Sequence, residues 1–234
     1  MRKILFVLTS HDQKGDTGKP TGFHLAEMTH PHKILREAGY AIDFVSPKGG
    51  AAPIDSKNMD DPVNREFMET EAYVTQIKTT ARPEQVDANH YAAIYFPGGH
   101  GAMWDLPDNI KLADMTRYIY ESGGIVAAIC HGPAALVNVR LSNGEYLVAG
   151  KEISSFTDAE EKAVGLESVV PFLLESTLKE RGARHTKAPN FQKHVVIDDR
   201  LVTGQNPASA DGVGDAVLSL LHKMSVYRNT RKAV

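Results

Sequence analysis

Gly123-Gly124-Ile125-Val126-Ala127-Ala128-Ile129-Cys130-His131-Gly132-Pro133-Ala134-Ala135 reads as a buried strand running directly into a helix, with Cys130 at the joint. Residues 125–129 are apolar without alternation, as a parallel strand covered on both faces requires. Pro133 suits a first helical turn, where its missing N–H would have no partner in any case. A chain that doubles back at such a joint needs small residues two before and two after it, and Ala128 and Gly132 supply them. This is the pattern of a nucleophile elbow on an α/β sheet. A lone cysteine beside an apolar strand is ordinarily a small buried hydrophobe. The adjacent His131 and the small flanking residues favour a nucleophile instead. A thiol facing a helix N-terminus is expected to have a lowered pKa.

Working outward, strand-length apolar runs alternate with helical patterns, the sequence form of βαβ units. Residues 3–8 predict a first strand. Residues 23–38 predict a helix, with Leu25, Met28 and Leu35 at helical spacing and Gly39 as its stop. A second strand follows over 40–45. Residues 92–96 and 125–129 predict strands, 110–121 a helix, and a further helix starts at Pro133. Residues 195–197 and 201–203 read as a hairpin-like pair. The last helix follows Asn206-Pro207, with Ala210, Val213, Val217, Leu220 and Leu221 on one face, and the polar tail 228–234 is expected to fray. Residues 47–90 break the rhythm: Pro53, Pro62, Pro83 and an acidic patch over 66–73 mark an insertion of the kind that shapes an active site.

Composition narrows the function. The 234 residues are 42% apolar and 24% charged, ordinary for a globular chain. A net charge of −3 gives no electrostatic case for nucleic acid or an anionic membrane, so a small-molecule substrate is expected. Cys130, the single cysteine, excludes an intramolecular disulfide and a multi-cysteine zinc site. The apolar run from Ile4 to Leu8 is shorter than a signal core, and no run approaches the ~20 residues of a membrane span, so a cytoplasmic location is expected.

Other residues join Cys130 as candidates. Phe96-Pro97-Gly98-Gly99-His100-Gly101 lies between a strand and a helix, and its N–H groups suit an oxyanion better than a phosphate, since it lacks the P-loop Lys-Ser/Thr. His30-Pro31-His32 lacks a third ligand and makes a poor metal site. Glu27, among apolar neighbours on the first helix, would meet Cys130 if aimed at the strand ends. Glu160 and Glu161 follow Phe156-Thr157-Asp158 at a helix start, where acidic residues often only complement the dipole.

Ala127-Ala128-Ile129-Cys130-His131-Gly132-Pro133, Gly98-Gly99-His100-Gly101, Glu27-Met28-Thr29-His30-Pro31 and Thr203-Gly204-Gln205-Asn206-Pro207-Ala208-Ser209-Ala210 together resemble the ThiJ/PfpI superfamily. More closely they resemble its heat-shock-protein branch of glutathione-independent glyoxalases (glyoxalase III). The resemblance implies a single α/β domain over 1–234, a flavodoxin-like three-layer sandwich with a mostly parallel sheet and a small cap at 47–90, usually as a homodimer. It implies conversion of a small 2-oxoaldehyde, methylglyoxal, to D-lactate with no cofactor, metal or glutathione. Cys130 matches the family nucleophile, His131 the histidine after it, and Glu27 the glutamate contacting the thiol. Gly98, Gly99 and His131 match the oxyanion and substrate-binding positions. Glu161 falls where this branch carries its acidic third member, with Glu160 beside it as the alternative. Either His131 or Glu27 can serve as the base. A deglycase, a holdase chaperone and an oxidation-sensing thiol are the rival functions that the superfamily brings.

Overall fold

The computed structural model describes the backbone of residues 3–232 and the side chains of residues 3–226. Lys3–Val7 (β1) is buried after its first residue. A short strand, Phe23–His24 (β2), feeds the helix Leu25–Glu37 (α1), and Ile42–Val45 (β3) follows. The inserted region holds Ile54–Ser56 (β4) and the helices Pro62–Glu69 (α2) and Glu71–Lys78 (α3). Next come Tyr91–Phe96 (β5), a short helix Ala102–Asp105 (α4), Ile110–Glu121 (α5) and Ile125–Ile129 (β6). The remainder is Glu152–Ile153 (β7), Asp158–Ala163 (α6), Leu174–Glu180 (α7), Arg184–His185 (β8), Val195–Asp198 (β9), Leu201–Gly204 (β10) and Ala210–Lys232 (α8).

The main sheet has the order β3-β1-β5-β6-β10-β9. Its first five strands are parallel and β9 is antiparallel to β10, which is the hairpin the sequence predicts. The parallel part therefore runs second, first, third, fourth, fifth, the flavodoxin-like order. Every residue of β5 and β6 is buried, because helices cover both faces. On one face Ile4, Phe6 and Ile129 pack with Leu25, Met28 and Leu35 of α1 and Val213 and Val217 of α8. On the other, Leu5, Ile94 and Val126 pack with Leu112, Met115 and Ile119 of α5 and Leu174 and Leu178 of α7. Each such side chain contributes roughly 1.5–3 kcal/mol on burial, and the two layers together fix the sheet. Residues beyond the carboxyl ends of β5 and β6 are brought side by side, where ligands bind in this topology.

The inserted region adds no strand to the main sheet: β4 pairs with β2 in a separate two-stranded ribbon. It is docked onto the body through Phe67 of α2 and Ile77 of α3, both in the α1-side core. Two expectations are corrected. The helix starting at Pro133 is only a 3-10 helix, Gly132–Leu136. β-branched Val137 and Val139, with Asn138 between them, give poor support for a longer helix, and a Ser142-Asn143-Gly144 turn follows. The tail read as frayed is helical through Lys232, and Ala233 and Val234 lie outside the described residues. No helix among the described residues is long and apolar enough to cross a membrane.

Candidate active site

Cys130 has φ 59°, a left-handed conformation that costs a non-glycine residue about 1–2 kcal/mol. Its backbone is locked there from both sides. The Cys130 N–H donates to the Gly204 carbonyl of β10 at 2.9 Å, and the Phe156 N–H donates to the Cys130 carbonyl at 2.8 Å. The small residue at 132 is a steric necessity, since a Cβ there would lie 2.1 Å from the Phe96 carbonyl oxygen.

Protonation states around the thiol follow from counting hydrogens. Glu161 Oε2 lies 2.7 Å from His131 Nε2, and Glu161 Oε1 lies 2.9 Å from His100 Nε2. Against the effect of burial, the two rings hold the Glu161 carboxyl down at about 2, so it is ionised and can only accept. Both Nε2 atoms therefore carry hydrogen. Burial, then the neighbouring His100, lowers the His131 pKa to about 4, so at neutral pH its ring is uncharged and Nδ1 has a free lone pair. That lone pair faces the Cys130 sulfur at 3.4 Å.

Glu27 approaches Cys130 from the opposite side. It is wholly buried, and desolvation raises its pKa to about 8, so it is protonated at neutral pH. Its Oε2 accepts the Gly98 N–H at 2.8 Å, Oε1 has no hydrogen-bond partner among the described residues, and the carboxyl interacts with the Cys130 thiol. Pro31 helps to place it. Proline lacks the N–H that would bond the carbonyl four residues back, so the Glu27 carbonyl is free inside α1, and the Tyr95 hydroxyl donates to it at 2.5 Å.

The thiol itself corrects an expectation. Cys130 is 4% exposed, and burial pushes its pKa up; above about pH 8, where Glu27 ionises, its carboxylate opposes the thiolate further. The short 3-10 turn after it supplies too little dipole to reverse this. The resting group is a neutral thiol beside a base. Gly98 is also reassigned: its N–H is committed to Glu27 rather than offered to an oxyanion. A Cβ on Gly98 would lie 2.6 Å from Glu27 Oε2 and 2.7 Å from Cys130 Cβ, so glycine is needed for the carboxyl and the thiol to meet. Among the described residues the N–H groups of Gly99 and His131 have no backbone acceptor, and that of His131 reaches the Cys130 sulfur.

The pattern of the DJ-1/PfpI family matches residues 19–220. The chain belongs to the DJ-1/PfpI family. It is 33% identical to the glutathione-independent glyoxalase HSP31 of Saccharomyces cerevisiae, over 89% of this chain and 93% of that protein. The structure of Rapid Encystment Protein 24 KDa (REP24) of Francisella tularensis superposes with a TM-score of 0.92 at 40% identity, covering 94% of this chain and 99% of that one. Glyoxalase III of Candida albicans superposes with a TM-score of 0.87 at 29% identity, covering 94% and 97%.

In this DJ-1/PfpI protein the choice between the paired glutamates is geometric. Neighbouring residues on a helix point about 100° apart. Glu161 faces His131, whereas Glu160 closes a capping box with Thr157 and accepts from the Phe191 N–H, Gln205 and Asn206. Asn206 of the fourth motif is thus a support for α6. Of the His30-Pro31-His32 pair, His30 bonds Asp61 and Asp211, and His32 is buried against Phe67 and Tyr73, so they share no ligand. Ligating atoms of His100, His131 and Glu161 lie within 4.8 Å of one another, but both Glu161 oxygens are already taken by the ring nitrogens. Sequence reasoning missed three contributors. His100 was in view inside its glycine motif, Phe156 packs its ring 4.5 Å from that of His131, and Asp55 carried no signal at all.

Proposed function

We propose that this DJ-1/PfpI protein is a glutathione-independent glyoxalase that converts methylglyoxal, a small 2-oxoaldehyde, to D-lactate, acting as a homodimer. The reading rests above all on one arrangement: the Cys130 thiol lies between the Nδ1 lone pair of neutral His131 and the protonated carboxyl of Glu27. Cys130 attacks the aldehyde carbon while its proton passes to His131 Nδ1, and the hemithioacetal oxyanion is held by the N–H groups of Gly99 and His131. Return of that proton to the oxyanion leaves a neutral hemithioacetal and a neutral His131. His131 then removes the hydrogen from the former aldehyde carbon, giving an enediol, and delivers a proton to the adjacent carbon. Glu27 is the poorer base here, because it already holds a proton at neutral pH. The product is a lactoyl thioester, oxidised at one carbon and reduced at the next, so no external electron carrier enters. Water releases lactate and restores the thiol.

Incubation of the purified protein with methylglyoxal, without glutathione or added metal, followed by chiral lactate analysis, tests the reading. Wild type is expected to form D-lactate, and Cys130→Ala to lose at least ~10³-fold in rate. Absence of lactate from wild type, or equal turnover by Cys130→Ala, would overturn it.

A further inference from the structure

The Glu161 carboxylate has two clients, and the proposed reaction uses only one. His100 Nε2 occupies the second oxygen at 2.9 Å, and the far side of the His100 ring meets the inserted region: Nδ1 lies 3.5 Å from Asp55 Oδ2. Asp55 is itself anchored. It accepts from Lys14 Nζ at 3.1 Å, from Thr21 Oγ1 at 2.9 Å and from the His100 backbone N–H at 3.3 Å. The two imidazoles lie 4.1 Å apart between ring centroids.

We infer that His100, tied down by Asp55, is a positioning residue that holds the second oxygen of Glu161 and thereby keeps the hydrogen of His131 on Nε2 and its lone pair on Nδ1, facing Cys130. The inference deepens the reading of Cys130 and His131 as thiol and base, and rests on it. The physical argument concerns freedom. A carboxylate hydrogen-bonded at one oxygen only can rotate about its end, and a histidine whose partner rotates can exchange tautomers. Holding both oxygens removes that freedom before substrate arrives. The groups around His100 agree with this role. Asp55 from β4 and Glu161 from α6 raise its pKa against burial, Lys14 from the preceding loop and His24 from β2 oppose its charge, and His131 lies alongside. Burial first, and then the positive charge His100 takes up on protonation, disfavour a cation on His131 and keep that ring a free base at neutral pH.

Histidine ring nitrogen NMR on ¹⁵N-labelled protein reads the tautomer directly. In wild type at neutral pH, His131 is expected wholly as the Nε2–H form. In His100→Leu it should become a mixture, with kcat falling on the order of tenfold and KM changed less than about twofold. His100→Gln retains an N–H able to reach Glu161, and should restore the single tautomer and most of kcat. Asp55→Asn should move the titration of His100 to lower pH in the same spectra. An unchanged His131 tautomer in His100→Leu, or a His100→Gln variant as impaired as His100→Leu, would overturn the inference, and an unshifted His100 titration in Asp55→Asn would remove the Asp55 link. If wild type forms no lactate the glyoxalase reading fails, while the tautomer still decides this one; if Leu destabilises the fold, the Gln variant carries the comparison.

Discussion

Two places in this molecule bring a nucleophile type, a histidine and a glutamate into line, and they differ in geometry and in what their glutamates bind. At the first, Cys130, His131 and Glu161 are spaced at 3.4 and 2.7 Å. At the second, Ser155 Oγ lies 3.0 Å from His185 Nε2, and His185 Nδ1 lies 3.9 Å from Glu175 Oε1. That last gap is too long for a hydrogen bond. Glu175 is instead satisfied by Lys179, Lys187 and the Asp158 N–H, so it anchors α7 to the start of α6. Among the described residues His185 Nδ1 is buried without a hydrogen-bond partner. Ser155 has no left-handed backbone, whereas Cys130 does. The comparison teaches that such a cluster is made by a carboxylate committed to the histidine rather than to lysines, together with a forced backbone at the nucleophile, and not by residue names alone.

The strongest way to break the comparison is to spoil the carboxylate of the first cluster. Glu161→Gln turns one acceptor oxygen into a donor, so His131 and His100 can no longer both donate, and the His131 lone pair is driven away from Cys130. A kcat loss of roughly 10⁴-fold is expected in steady-state kinetics, the scale seen when a triad base is held in the wrong tautomer. Wild-type kcat/KM should fall as pH drops through about 4, where His131 gains a proton and Nδ1 ceases to accept. A loss below tenfold in Glu161→Gln would show that the carboxylate does not set the tautomer.

A smaller effect is expected from Glu27→Ala. Below about pH 8 the Glu27 carboxyl is protonated and stabilises a thiolate by donating to it, so its removal leaves the thiolate less favoured. The pH profile of Cys130 alkylation should move upward by about one unit, corresponding to one lost hydrogen bond of roughly 1.4 kcal/mol. An unmoved profile would remove Glu27 from the thiol's proton balance. The smallest effect belongs to the second cluster. Ser155→Ala should leave kcat within about twofold of wild type and cost roughly 1 kcal/mol in denaturant unfolding, through the lost bond to His185. A large activity loss at unchanged stability would show that the second cluster takes part in turnover.

Legibility followed locality. The β6 run, the bend at Cys130 and the close approach at Gly132 depend on neighbours in the chain, so residues 125–135 spell them out. Placing Glu27 on α1 was also readable, and Pro31 four residues later turned out to be part of how its carbonyl is held. The protonation of Cys130 was not readable, because dipole and burial act in opposite directions and only the enclosure by α1, β5 and the 156 loop decides between them.

The sequence by itself determined the layered α/β architecture, the elbow, the candidate nucleophile and its neighbouring histidine, since each rests on apolar periodicity or on small residues at short spacing. Only the tertiary structure decided that Glu161 rather than Glu160 meets His131, that the Gly98 N–H serves Glu27, and that Asp55 reaches across from the inserted region to His100. Those choices turn on which way a side chain points and on which partner has already taken a hydrogen bond, and both are settled by segments far apart in the chain.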